Sequence, residues 1–198
     1  MTTSLSEFSL VLPDNWLPLD VTGGQRINDE VEHLLARGAL TDESFRTHRG
    51  MLERQLRAVL RSVRREPVAM AAVLVSILND VLPLFASLTV AVTDSQPDLL
   101  DRYRAKPGCQ VEHVLLPQAG GAVALRSTDS STDHTVGLTV HAAVFQWLIP
   151  LPRNNKLAIL TCVSPDTEPV LVEAFADLFS AIAESFSTVD GGGADVLD

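Results

Sequence analysis

The 198-residue sequence predicts an α+β fold: a mainly antiparallel sheet with a helix pair at about 25–65 and a C-terminal helix packed on it. Three observations point there. Apolar residues recur at helical spacing over long stretches only between about 25 and 65 and again near the C-terminus. The remainder reads as short apolar runs broken by turn residues. Regular strand-helix alternation, which a parallel sheet would need for its crossovers, is missing. With 46% hydrophobic and 20% charged residues, the composition is that of a globular protein with one sizeable core. A chain of this length buries roughly 70% of the surface its unfolded form exposes.

Residues 8–12 form a first apolar strand, closed by Pro13, Asp14 and Asn15, a triplet suited to a turn. A second strand, 16–21, makes a hairpin with it; Pro18 has no N–H to give a ladder and marks that strand as a sheet edge. Gly23 and Gly24 close the unit. From Ile27 the period turns helical: Ile27, Val31, Leu34 and Leu35 share a face, and Gly38 stands where a left-handed terminal residue belongs. Thr41 before Asp42 and Glu43 is an N-cap signal. The helix it opens, about 42–65, carries Leu52, Leu56, Val59, Leu60 and Val63 on one face and stops before Pro67.

Residues 68–92 are the longest apolar stretch, interrupted by Asn79, Asp80 and Pro83. A spanning helix would place the Asp80 carboxyl near the bilayer centre, which is costly, and 84–92 alternates like a strand. Two buried strands and no membrane span are expected. Residues 97–103 give one or two helical turns. Segments 111–116 and 122–126 form a hairpin, 127–133 a polar loop, and 135–149 with 156–163 a longer hairpin. A helix at about 168–187 closes the fold with Leu171, Phe175, Leu178, Ile182 and Phe186 inward; Pro169 is tolerated in its first turn. The expected organisation is one α+β domain over 1–189 and a flexible tail over 190–198.

The 25 acidic residues against 15 Lys and Arg give a net charge of -10, which argues against nucleic-acid binding unless a basic patch is segregated on one face. Cys109 and Cys162 are too few for a disulfide framework; one bridge is compatible with the count, and reduced thiols are the simpler reading. The first seven residues show no basic start, long apolar run or lipidation cysteine, so a cytoplasmic location is expected.

Residues 8–16, an apolar strand running through Pro13 into Trp16, resemble the opening hairpin of the PsbP-like α/β/α sandwich superfamily. Residues 157–166 and 175–185 are similar to its last strand and closing helix, and the element order between fits across most of the chain. That superfamily includes extrinsic subunits of the photosynthetic oxygen-evolving complex, a Ran-binding nuclear transport factor, bacterial lipoproteins and uncharacterised cytosolic bacterial proteins. The resemblance implies a binding or accessory role and carries no shared catalytic residues. The chain departs from the lipoproteins in lacking a signal and lipobox, and from the plant proteins in its helical insert at about 25–65.

Nucleophile-elbow, P-loop, dinucleotide, zincin and Cys-x-x-Cys motifs are all missing from the sequence. Cys109, Glu112, His113 and His141 are the soft and titratable residues worth weighing. In a strand, Cys109 and His113 would share a face as ligands or as nucleophile and base; the alternative is individual strand residues with Cys109 as apolar filler. Asp129, Asp133 and His134 beside Ser127, Ser130 and Ser131 contain the residue types of a triad, but neighbours on a polar loop rarely hold its geometry. Trp16 and Trp147 are read as core, with a ligand pocket as the alternative. No catalytic residue, metal or cofactor is assigned.

The basic helix is the most informative feature. Arg46, Arg49, Arg54, Arg57, Arg61, Arg64 and Arg65 fall within 20 residues, and Arg54, Arg57, Arg61 and Arg64 recur at helical spacing as one stripe. Three roles are weighed: a solvated face whose Arg stems cover apolar surface and pair with acids, a docking surface for an acidic protein partner, and a site for nucleic acid or anionic membrane. The four-arginine stripe is the candidate partner-binding site of a non-enzymatic binding or accessory protein whose partner is unidentified. The alternatives are a small-ligand protein or enzyme with a pocket between sheet and helices, and a homodimer through the edge strand or the apolar face of the long helix. Residues 157–198 hold eight acids and no base, so the chain is polarised rather than uniformly acidic, and the fold decides whether the two regions meet.

Overall fold

The computed structural model describes residues 2–4, 8–37, 43–78, 82–133, 138–152, 155–165 and 169–188. Gly38, Thr41, Asp42, Asn79, Asp80, His134 and the tail at 190–198, all singled out above, lie outside them. The molecule is α+β, with every described strand pair antiparallel.

The seven-stranded sheet is built from β3 (Trp16–Pro18), β4 (Val68–Leu78), β5 (Leu82–Asp94), β6 (Gln110–Leu116), β7 (Gly120–Asp133), β8 (Leu138–Leu151) and β9 (Lys156–Pro165). Their spatial order is β3-β4-β5-β9-β8-β7-β6, so β3 and β6 are its edges. Pro18 does sit on an edge strand, as its missing N–H requires. A second sheet has three strands in the order β1-β2-β10, from β1 (Thr2–Ser4), β2 (Phe8–Val11) and β10 (Ser187–Thr188). Its pairing of Ser187 with Ser9 fastens the end of the described chain to its beginning.

The expected hairpin at 8–21 is therefore corrected, because β2 and β3 belong to different sheets. The turn between them, where Trp16 N–H donates to the Pro13 carbonyl at 3.1 Å, passes the chain from one layer to the other. The reason is burial: Phe8, Leu10, Leu12 and Trp16 fill one core from two layers, each 2% exposed or less. The polar segment 127–133 is also corrected from loop to strand. It continues β7, with Ser127 opposite Val144 and Asp133 opposite Leu138, because the long β8 supplies a ladder for its backbone.

One face of the large sheet packs on α4 (Pro169–Glu184) and the small sheet. Val172, Phe175, Phe179, Ile182 and Ala183 are the buried α4 residues, with Phe186 just beyond the helix fully buried. The inward face is thus rotated from the expected one: Phe175, Ile182 and Phe186 hold, whereas Leu171 and Leu178 are half-buried flanks. At about 1.5–3 kcal/mol for each large apolar side chain, this face contributes on the order of 10 kcal/mol of transfer free energy.

On the opposite face, α1 (Ile27–Arg37) and α2 (Glu43–Val63) cover β3, β4 and β5. Leu52, Leu56 and Leu60 of α2 are fully buried there with Val31 and Val73. These residues of the long helix's apolar face are therefore taken up inside the molecule. A short helix, α3 (Leu99–Arg104), covers the other half of that face through Leu99 and Tyr103, packed near Leu125, Leu148 and Leu157.

Candidate functional site

The arginines of α2 separate into two rows. Arg49, Arg57 and Arg64 turn toward α1: Arg49 meets Glu32 at 2.7 Å, Arg57 Nε donates to Asn28 Oδ1 at 3.4 Å, and Arg64 meets Glu30 at 2.5 Å, while Glu53 within α2 meets Arg49 at 2.8 Å and Arg57 at 3.3 Å. Hydrogen bonding to Arg49 holds the Glu53 carboxyl below its usual range. In return, the hydrogen bonds that Arg49 donates to Glu53 and Glu32 raise the Arg49 pKa. Arg54 and Arg61 lie on the outward face of α2, both exposed, and Arg65 is exposed in the turn that follows. No described residue accepts a hydrogen bond from the side chains of these three or forms an ion pair with them.

The four-arginine stripe thus divides, with Arg57 and Arg64 bound to α1 and Arg54 and Arg61 facing solvent. The geometry explains the division. A seven-residue step almost completes two helical turns and stays in line, whereas a three-residue step swings the side chain by about 60°. Arg57 and Arg64 therefore share the side on which α1 presents Asn28 and Glu30, while Arg54 and Arg61 share the ridge pointing away from the sheet. The side chain of Arg46 lies outside the described residues.

The described acids of the C-terminal region, all on α4, do not meet this ridge inside the molecule, since α4 packs on the other face of the sheet. Its outward surface carries Glu173, Asp177 and Glu184, all exposed. Glu173 pairs with Arg126 at 2.6 Å, and that hydrogen bond lowers its pKa. No described residue pairs with Asp177 or Glu184.

Beside α4 runs a groove of about 540 Å³, lined by Glu112 and Val114 of β6, Arg126 of β7, Phe145 and Trp147 of β8, and Ser180 of α4. The Arg126 guanidinium lies over the Phe145 ring, 5.3 Å from its centroid. A second groove, about 410 Å³, lies on the α2 side of the sheet over Ser87, Thr89 and Thr161, where Gln146 Nε2 donates to Thr161 Oγ1 at 3.0 Å.

The soft and titratable residues are not brought together. Cys109 precedes β6 instead of lying within it, and Glu112 and His113, as neighbours in a strand, point to opposite faces. His113 sits opposite Val123, and His141 opposite Ser130. Seven residues of β7 separate those points, about 23 Å at strand rise. Among the described residues no group of three or more His, Cys, Asp and Glu is placed to hold a metal. Ser127, Asp129 and Ser130 lie along β7, where the strand spreads them. Trp16 and Trp147 are both buried; Trp16 packs edge-on against Phe179 at 6.3 Å, and Trp147 also lines the larger groove.

No protein-family model matches the sequence, and no curated protein does. In three dimensions the chain is similar to LpqN, a protein involved in cell envelope biogenesis of Mycobacterium tuberculosis, with 13% sequence identity and a TM-score of 0.40, over 91% of this chain and 82% of that one.

Proposed function

We propose that this chain is a non-enzymatic binding or accessory protein that acts through protein–protein contacts, with the outward ridge of α2 as its docking surface. The observation that carries the reading is the contrast within one helix. Arg49, Arg57 and Arg64 fasten α2 to α1 through Glu32, Asn28 and Glu30, while Arg54, Arg61 and Arg65 stand exposed with no side-chain partner among the described residues. An acidic protein surface fits such a ridge, because opposed potentials steer encounter and set register. The order of elements and the α+β layers agree with a PsbP-like sandwich, whose members include accessory and partner-binding proteins, and we place the chain in that superfamily on this reading. The two free thiols, Cys109 and Cys162, agree with a cytoplasmic location.

The test is affinity capture from an extract of the cells that express the protein, with the wild type compared with Arg54→Glu/Arg61→Glu. The reading expects a partner that the wild type retains and the variant loses. Equal recovery by both would remove the ridge as the docking surface.

A second reading has its own observation. The groove of about 540 Å³ beside α4 has Phe145 and Trp147 on its floor and a guanidinium at its side, which suits a flat apolar ligand bearing an acid group. A thermal-shift screen with aromatic carboxylates, repeated on Arg126→Ala, checks it; no ligand-dependent shift in the wild type would end this reading.

A further inference from the structure

We infer that the acidic partner of the α2 ridge is the α4 ridge of a second copy of this chain; the inference rests on the reading of α2 as a docking surface. Among the described residues of α2 and its following turn, the exposed cations with no described side-chain partner are Arg54, Arg61 and Arg65, spaced by seven and then four residues. On α4 the exposed acids, taken from its C-terminal end, are Glu184, Asp177 and Glu173, again spaced by seven and then four. Two helices running antiparallel at equal rise therefore set Arg54 against Glu184, Arg61 against Asp177 and Arg65 against Glu173, over about 17 Å of contact.

The same register sets Ala58 opposite Ser180, both exposed and both small, so nothing bulky holds the helices apart where they meet. Antiparallel packing also brings the C-terminal end of α2 beside the N-terminal end of α4, which opposes their dipoles favourably. Glu173 already bonds Arg126, so the contact centres on the pairs from Arg54 and Arg61.

The two ridges lie on opposite faces of one sheet, so they cannot pair within a molecule. Pairing between copies is heterologous: each copy joined through α2 still offers its α4. Association then proceeds stepwise with concentration instead of stopping at a symmetric dimer. The net charge of -10 repels copies at long range, so the contact is weak and is strongest at moderate salt. At about 0.1 M salt the screening length is about 10 Å, and distant repulsion fades before contacting pairs do; at about 1 M it is about 3 Å, and the pairs are weakened as well.

The experiment is sedimentation velocity on the wild type, on Arg54→Gln/Arg61→Gln, on Asp177→Asn/Glu184→Gln, and on an equimolar mixture of the two variants. The wild type is expected to gain mass steadily with concentration at moderate salt and to lose that gain at high salt. Each variant alone is expected to stay monomeric, while the mixture forms a species of twice the monomer mass and nothing larger, since only one intact ridge of each kind is available. A monomeric wild type throughout, or a mixture that stays monomeric, overturns the inference. If the wild type stays monomeric while capture from extract still depends on Arg54 and Arg61, the docking surface stands and its partner is another acidic protein. Loss of that dependence removes the docking surface itself.

Discussion

Glu30 and Arg64 form an ion pair at 2.5 Å across the junction of α1 and α2, with the Glu30 side chain only 4% exposed. The other Glu30 oxygen accepts the Asp20 N–H at 2.8 Å, so one carboxylate joins the end of the β3 segment, the first turn of α1 and the end of α2. This junction fixes the angle at which α2 presents its outward ridge.

Removing the cation alone is expected to be costly, because it leaves a buried carboxylate unpaired. Arg64→Met should lower stability by about 3 kcal/mol, at the low end for buried pairs because Arg64 keeps some exposure. Adding Glu30→Gln, which retains an acceptor for Asp20, should restore most of that loss. Denaturant unfolding of the two single variants and the double variant gives the coupling energy, and strictly additive losses would contradict the pairing.

Asp20 sets a pH dependence. The Thr22 hydroxyl, followed by the backbone N–H groups of Gln25, Thr22 and Gly24, holds its pKa at about 2, below its ordinary 3.8. Because the folded pKa is depressed, the stabilisation is present above 3.8 and is lost as pH falls toward 2. Glu53 and Glu173, both lowered by arginine hydrogen bonds, add loss in the acid range. Asp20→Asn should flatten the fall of melting temperature across that window; parallel wild-type and variant curves would show that Asp20 has no such role.

The face of α4 is open to a direct comparison. Phe179 is fully buried and touches the rings of Trp16, Phe145 and Phe175. Phe179→Ala should cost about 3–5 kcal/mol. Leu178→Ala, on the half-buried flank, should cost about 1 kcal/mol. Comparable losses at the two positions would contradict the packing of α4 described above.

The thiols should differ in reactivity. Cys162 is wholly buried, and desolvation pushes its pKa up, whereas Cys109 is half-buried just before β6. A thiol reagent should titrate one group in the native protein and the second only on unfolding. Two equivalents reacting at equal rates without denaturant would be inconsistent with this core.

Most of the architecture was legible from residue patterns. The spacing of Leu52, Leu56 and Leu60 and the stop at Pro67 located α2, and the apolar run at 68–92 resolved into β4 and β5. What escaped carries little apolar signal. Thr2–Ser4 and Ser187–Thr188 are short polar strands whose pairing depends on opposite ends of the chain, and β7 beyond Arg126 is a polar strand that a long neighbour completes. The sequence leaves the buried face of α4 open, because rows through Leu171 and Leu178 and through Val172 and Phe179 both satisfy a helical period; only the layer beneath chooses between them. The arginine ridge was half legible. Its spacing marked a surface, but separating Arg54 and Arg61 from Arg57 and Arg64 required knowing where α1 lies.

Cross-linking reads the register between copies without an intermediate step. In a Cys109→Ser background, Ala58→Cys and Ser180→Cys proteins are mixed in equal amounts and treated with a short thiol cross-linker at moderate salt. A product of twice the monomer mass joining position 58 to position 180 is expected, formed faster than either like-with-like product and suppressed at high salt. A product distribution indifferent to position and to salt, or no cross-linked product at all, would contradict it.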